Sequence, residues 1–395
     1  MEYCELSNEE NRGIIMKKSA KLSLAIALMM GVTAGSQMLG INTASAEISD
    51  KFKLEINGVT GYNWNEDQLG GDFVTSKSGT DGYWNSYTRA VFTYYVDKDT
   101  QLVARLHSGY DSLSTDYKNT NESGAYFDQS YLSLKDKKSN LNYTFGKKGA
   151  YLGQGLIHNS TGNLTGAQVS LGNWYDPQCL LLIYGNKKDG SRFFAANYTK
   201  DVVKNWQMSA TYINHDKAWN SNYQYDVNGN HVKWNEQELH LVSVGSKVKT
   251  PRVTFQGEYV RNLSDKVRNG VGHKSGANTN TWSDNTTSAR TGWYVEAFTG
   301  PTSDMTSGLP LQKVGTEVWS LKYQDVGANA VDSHNTTFFD DAKGWRLNYG
   351  KVIRKGVSAD IAIARMKDKG SNDYNDSNNG KWKTAIVGQI AYKFK

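Results

Sequence analysis

From Phe52 onward, apolar side chains recur at every second position in segments of about ten residues, a period that belongs to strands and not to helices. Phe255, Gly257 and Tyr259 alternate with Thr254, Gln256 and Glu258, and Trp345, Leu347 and Tyr349 alternate with Arg346, Asn348 and Gly350. One face of each segment suits lipid and the other suits water. The pattern predicts an all-β chain, folded as a transmembrane antiparallel up-and-down β-barrel with apolar residues outside and polar ones lining a lumen.

Sixteen segments satisfy it, near residues 52–62, 84–96, 100–110, 125–135, 139–146, 165–173, 179–185, 191–200, 205–214, 235–249, 252–262, 289–299, 316–326, 344–354, 356–367 and 381–394. An even count leaves both termini on one side of a membrane. Every second connection should then be a short turn, as in Asp97-Lys98-Asp99, Asp136 to Ser139, Asp201 to Lys204, Thr250-Pro251 and Arg354-Lys355-Gly356. The stretches 63–83, 111–124, 215–234, 263–288, 327–343 and 368–380, rich in Asn, Ser, Asp, Gly and Thr, read as solvated outer loops. Two connections break the rhythm: Asn186 to Gly190 is short for an outer loop, and Gly300 to Gly315 is long for a turn.

Composition fits this inversion, because mean hydropathy is −0.63 while 24 Tyr, 12 Phe and 11 Trp supply abundant rings. Past the N-terminus nothing approaches the roughly 18 consecutive apolar residues of a spanning helix, so membrane residence must come from a closed sheet. Trp206, Trp293, Trp319, Trp345, Trp382, Tyr392 and Phe394 fall near strand ends, as interfacial girdles do. A sugar-stacking slide is the functional rival, but alternation turns most of these rings outward.

Met16-Lys17-Lys18-Ser19-Ala20-Lys21, the apolar run Leu22 to Met30, and Ala44-Ser45-Ala46 form a signal peptide over residues 16–46. Residues 1–15 read as a start-site artefact and 47–395 as the barrel. Basic and acidic residues balance within 1–46, so the whole net charge of +6 belongs to the exported part. Dispersed Lys and Arg on an exported chain imply no nucleic-acid partner. Cys179 stands alone there, so no internal disulfide forms.

The connection 147–164 carries Gly149, Gly153, Gly155 and Gly162 together with Tyr151, Leu152, Leu156 and Ile157, which a freely solvated loop does not need. It is expected to fold inward as the third outer loop and narrow the lumen, with Lys147, Lys148, Tyr151, Gly153, Gly155 and His158 as constriction residues. An ordinary loop capping a neighbouring strand or subunit is the alternative.

The run Phe127-Asp128-Gln129-Ser130-Tyr131-Leu132-Ser133-Leu134, then Leu141 to Lys148, then Gly153-Gln154-Gly155-Leu156, resembles outer-membrane general porins. The likeness extends in particular to the porin barrels of diderm Firmicutes, many of which follow a cell-wall-binding domain. Lys147 and Lys148 stand where that family has Arg and Gln, which keeps positive charge but not a guanidinium fork. The first strand starts within six residues of the cleavage site, leaving no room for such a domain. Gly388, Tyr392 and Phe394 resemble the terminal signal read by the barrel assembly machinery, with Lys395 following the aromatic. The resemblance also implies a homotrimer embedded in outer-membrane lipid.

Because Arg or Lys facing lipid at mid-depth costs about 2–4 kcal/mol, strand charges are assigned to the lumen. Pore-lining residues are then Lys53, Glu55, Arg89, Arg105, Asp128, Arg252, Glu258, Glu296, Lys322, Arg346, Asp360 and Lys393. Arg365 falls on the outward face near the external rim. The slight basic excess predicts a diffusion pore for small hydrophilic solutes and ions with weak anion preference, with no cofactor and no metal.

Two other classes compete with the pore. A barrel hydrolase of lipids or peptides would need a nucleophile and base. The candidates His107, His158, His240 and Ser243 include no GxSxG or HExxH motif, and His240 and Ser243 sit on opposite faces by parity. A secreted carbohydrate-binding β-sandwich would need a Leu-, Ile- and Val-rich core that these Tyr-, Thr-, Ser- and Gly-rich strands lack. The acidic stretch Asp373 to Gly380 lacks EF-hand spacing.

Overall fold

The computed structural model describes residues 50–65, 81–110, 125–160, 162, 164–172, 178–187, 190–216, 224–225, 231–232, 239–264, 290–327, 330–332, 338–339, 342–369 and 382–394. The expected signal peptide and the fifteen residues before it, most of the stretches read as outer loops, the acidic stretch 373–380 and Lys395 lie outside the described residues.

The strands in chain order are β1 (Phe52–Asn65), β2 (Asp81–Tyr95), β3 (Thr100–Tyr110), β4 (Tyr126–Asp136), β5 (Leu141–Lys148), β6 (Tyr151–Leu152), β7 (His158–Asn159), β8 (Leu164–Leu171), β9 (Gln178–Lys187) and β10 (Arg192–Val203). They continue with β11 (Trp206–His215), β12 (Gln224–Tyr225), β13 (His231–Val232), β14 (Leu239–Lys249), β15 (Val253–Asn262), β16 (Thr291–Thr299), β17 (Glu317–Val326), β18 (Ala342–Arg354), β19 (Val357–Asp368) and β20 (Trp382–Phe394). Sixteen pair in the order β1-β2-β3-β4-β5-β8-β9-β10-β11-β14-β15-β16-β17-β18-β19-β20, and β20 returns to β1 with Ile56 opposite Phe394. The barrel is closed, antiparallel and sixteen-stranded. The pairs β6–β7 and β12–β13 are short two-stranded ladders separate from the barrel sheet.

Described turns at the end that carries residues 52 and 394 are tight, except the connection from β16 to β17. Val203 pairs with Trp206, so Lys204-Asn205 is a two-residue loop, and Asn205 adopts φ 69° there. Arg354 pairs with Val357 across Lys355-Gly356, with Gly356 at φ 77°. Positive φ at such a position matches the twist of the paired strands, which is why Asn and Gly occupy it.

Alternation decides which side chains leave the wall. In β15, Thr254, Glu258, Val260 and Asn262 are buried, whereas Phe255, Tyr259 and Arg261 are exposed. In β17, Val318, Ser320, Gln324 and Val326 are buried, whereas Trp319, Leu321 and Tyr323 are exposed. Leu102, Phe145, Leu182, Tyr198, Val244, Val295 and Ile361 continue that apolar exterior around the barrel.

The interior departs from the simple expectation of a polar lumen. Inward positions toward the outer-loop ends of β9 to β15 form an apolar patch, with Leu181, Ile183, Phe193, Ala195, Ile213, Leu241 and Val260 buried. Such a patch does not suit a water-filled lumen, and something inside the barrel must cover it. The connection after β5 does so.

Candidate functional site

The segment between β5 and β8 supplies Leu152, Leu156 and Ile157, all fully buried against that inner wall. Burying each such side chain contributes about 1.5–3 kcal/mol, which is why a loop with these residues leaves solvent for the barrel interior. Polar bonds then fix its path. Gly153 N donates to Asn197 Oδ1 on β10 at 2.8 Å, and the amides of Gln154 and Leu156 donate to Glu258 Oε2 on β15 at 2.9 and 2.8 Å. The Tyr294 hydroxyl on β16 donates to the Gln154 carbonyl at 2.7 Å. Four wall strands, counting Ser209 of β11 beside Gln154, thus hold one loop.

Two glycines make this path possible. Gly153 has φ 62°, and a Cβ there would lie 2.0 Å from Glu258 Oε1. Gly155 has φ 90° and lies against the Tyr151 ring. With its backbone turned this way, Tyr151 stands 46% exposed inside the barrel. It borders three cavities of about 430, 710 and 690 Å³.

The loop's far end is latched by a buried ion cluster. Asp332, on the connection after β17, accepts from Lys187 Nζ at 2.5 and 2.7 Å. His158 Nδ1 lies 3.1 Å from Asp332 Oδ2, and His215 Nδ1 lies 3.6 Å from Oδ1. His215 Nε2 meets Ser191 Oγ at 2.7 Å. Burial alone would raise the Asp332 pKa, but Lys187, His215 and His158 outweigh it and hold the carboxyl well below its ordinary value. Burial lowers the His158 pKa, opposed in part by Asp332. His158 is therefore an anchor of the loop, with its ring turned away from the lumen cavities.

The other candidate residues fall into groups. Arg105 grips Asp128 with two parallel bonds, 2.7 Å from Nε and 2.6 Å from Nη2, a bidentate charge-assisted pair. Arg89 stands 3.6 Å from the same carboxylate, donates to His107 Nδ1 at 3.0 Å and covers the Tyr87 ring at 4.4 Å. A bulge between Arg105 and Leu106 makes Asp128 the extra residue of β4 and turns it toward these arginines. Lys53 and Glu55 share the inward face of β1, and Glu55 pairs with Lys393 at 3.0 Å. Glu296 accepts from Gln256 and Ser320. Lys322 covers the rings of Phe338 and Tyr294. Arg346 bonds Asn348, and Asp360 accepts from Gln389.

Two assignments are corrected. Arg252 is exposed in the turn before β15 and lies off the wall, because the strand begins only at Val253. Lys147 and Lys148 are the last residues of β5 and not loop residues. Only Lys148 joins the inward row, over Tyr131 at 4.9 Å. Lys147 belongs to the opposite face, opposite exposed Ser130, and its Nζ donates to the Phe127 carbonyl.

The histidines and serine that are candidates for hydrolysis do not come together. His240 meets the Tyr212 hydroxyl at 3.2 Å on the outer face, while Ser243 points inward. His107 is stacked between Tyr87 and Tyr126. The Asp332 latch escaped sequence reading, since its partners lie 145 and 174 positions apart. A lysine at the inward end of the otherwise apolar β9 was the available signal.

A closed sixteen-stranded barrel with a loop held on its own inner wall is the porin fold. Among solved structures, the chain is similar to OprB of Pseudomonas putida at 11% identity and a TM-score of 0.54, covering 89% of this chain and 97% of that one. It is similar to OmpF of Salmonella typhi, solved in complex with daunomycin, at 15% identity and a TM-score of 0.52, covering 87% and 97%. A mutant porin of Rhodopseudomonas blastica aligns at 10% identity with a TM-score of 0.49, over 87% and 100%. No family model matches the sequence, and no curated protein matches it.

Proposed function

We propose that the chain is an outer-membrane porin, a water-filled channel through which small hydrophilic solutes and ions diffuse, with a weak preference for anions. Residues 16–46 direct export, residues 47–395 form the barrel, and the terminal strand is what the assembly machinery reads. The loop end faces outward and the end with the tight turns faces the periplasm, as in single-chain bacterial barrels. The likeness in fold to OprB and OmpF supports the channel reading, and the homotrimer in outer-membrane lipid is what the sequence resemblance implies.

The observation that carries the reading is the set of cavities around Tyr151, lined by charged and polar side chains, inside an apolar-coated barrel. Charge in them leans positive. Arg89, Lys322 and Arg346 face Glu296 and Asp304 in one, Lys98, Arg105, Lys135 and Lys148 face Asp97 and Asp99 in the second, and the third is balanced. A lumen field of that sign enriches anions locally. Purified protein in a planar bilayer should give discrete conductance steps, and a potassium chloride gradient should give a reversal potential on the anion-selective side. Detergent-extracted, heat-modifiable protein that never conducts would refute the channel. Extraction without detergent would refute the barrel in lipid.

A further inference from the structure

The connection from β16 to β17 is long at the end where every other described turn is short, and it does not hang into solvent. Leu309, in a 3-10 turn over Leu309–Leu311, and Met305 are buried with Val318 and Val352 on the inner wall. Gly350 of β18 provides the seat. A Cβ there would lie 2.6 Å from Leu309 Cδ2 and 2.8 Å from Met305 Sδ. The segment also braces itself: Asp304 Oδ1 accepts from the amides of Thr306 and Ser307 at 3.0 and 2.9 Å, and Leu309 N donates to the Asp304 carbonyl at 2.9 Å.

Held this way, Ser303 and Asp304 border the same two cavities as Tyr151 and Gln154 of the outer loop. Two inward segments from opposite ends of the barrel therefore bound the same space. We propose that residues 302–307 form a second constriction, entering from the end that carries the termini, which together with Tyr151 sets the size limit of the channel. This rests on the channel reading above, and it adds a part that the outer loop alone does not supply.

The test compares single-channel conductance of full-length protein in planar bilayers. Phe298 pairs with Ser320, so residues 302–316 can be replaced by a two-residue Asn-Gly turn that keeps the register. Removing a constriction should raise conductance by roughly 1.5-fold or more and admit larger neutral polymers. The second variant, Ser303→Cys, is treated with a bulky water-soluble thiol reagent, with the parent protein as control because Cys179 is buried. Modification should lower conductance of the variant by about half. The proposal is overturned if the shortened protein conducts like the parent, or, should it fail to fold, if modified Ser303→Cys does so. A parent protein without conductance overturns the channel reading first, and is recognised before any variant is made.

Discussion

At the residue scale, single carboxylates organise most of the interior. Glu258 receives two loop amides in a buried setting, and each amide left without an acceptor costs about 1–3 kcal/mol. Glu258→Ala should therefore lower the temperature at which the folded gel band is lost and add flicker to the open channel, whereas Glu258→Gln, which keeps one acceptor oxygen, should do less. Asp332 binds Lys187 inside the wall, and breaking such a pair from one side costs about 3–5 kcal/mol. Asp332→Asn should loosen the loop by that order, and the double change Asp332→Leu, Lys187→Met should cost less than either single change. The same cluster carries a pH dependence. His158 has its pKa depressed from 6.5 by burial, so the unfolded chain takes up the proton first and stability falls as pH drops below about 6.5. Asp332, depressed from 3.8, adds a second loss in the same direction in stronger acid. Below about pH 6.5 the folded band of the parent should lose more thermal resistance than that of His158→Gln, which no longer carries the titrating imidazole. A loss unchanged by His158→Gln would show that another group controls it.

At the element scale, the two faces of a strand answer to different solvents. Leu321→Arg, which puts charge on the exposed outer face of β17, should cost about 2–4 kcal/mol of barrel stability. The same arginine at inward Gln324 should cost less, as urea titration in detergent would show. This asymmetry is also what made the sequence legible, because a charge on one face and a ring on the other leave only one register for segments such as 252–262 and 344–354. All sixteen strands were read from it, including 179–185 and 316–326. Three features were not. Apolar residues on both faces of β9 conceal that one face meets a loop, the length of 300–315 signals an insertion without saying where it goes, and the bulge that turns Asp128 inward leaves no mark on parity. In each case the missing information was a contact between distant elements, which local alternation does not encode.

At the scale of the whole molecule, the sign of the lumen charge should be adjustable without touching the fold. Changing Arg89 and Arg346, both bordering the cavity beside Tyr151, to glutamine should move the reversal potential toward cations, and an unmoved potential would place ion selection elsewhere. The seam has a consequence of another kind. Because β1 takes one of its two neighbours from β20, with Ile56 through Asn65 opposite Phe394 through Ala385, the opening strand keeps an unanswered row of amides and carbonyls until the final dozen residues arrive. Hydrocarbon tolerates no such row. For a barrel placed in a membrane as proposed, a nascent or clipped chain lacking that last stretch would have no halfway home in the bilayer, so insertion would wait for synthesis to finish, and proteolysis near the tail should remove the protein from the membrane altogether instead of leaving a leaky remnant.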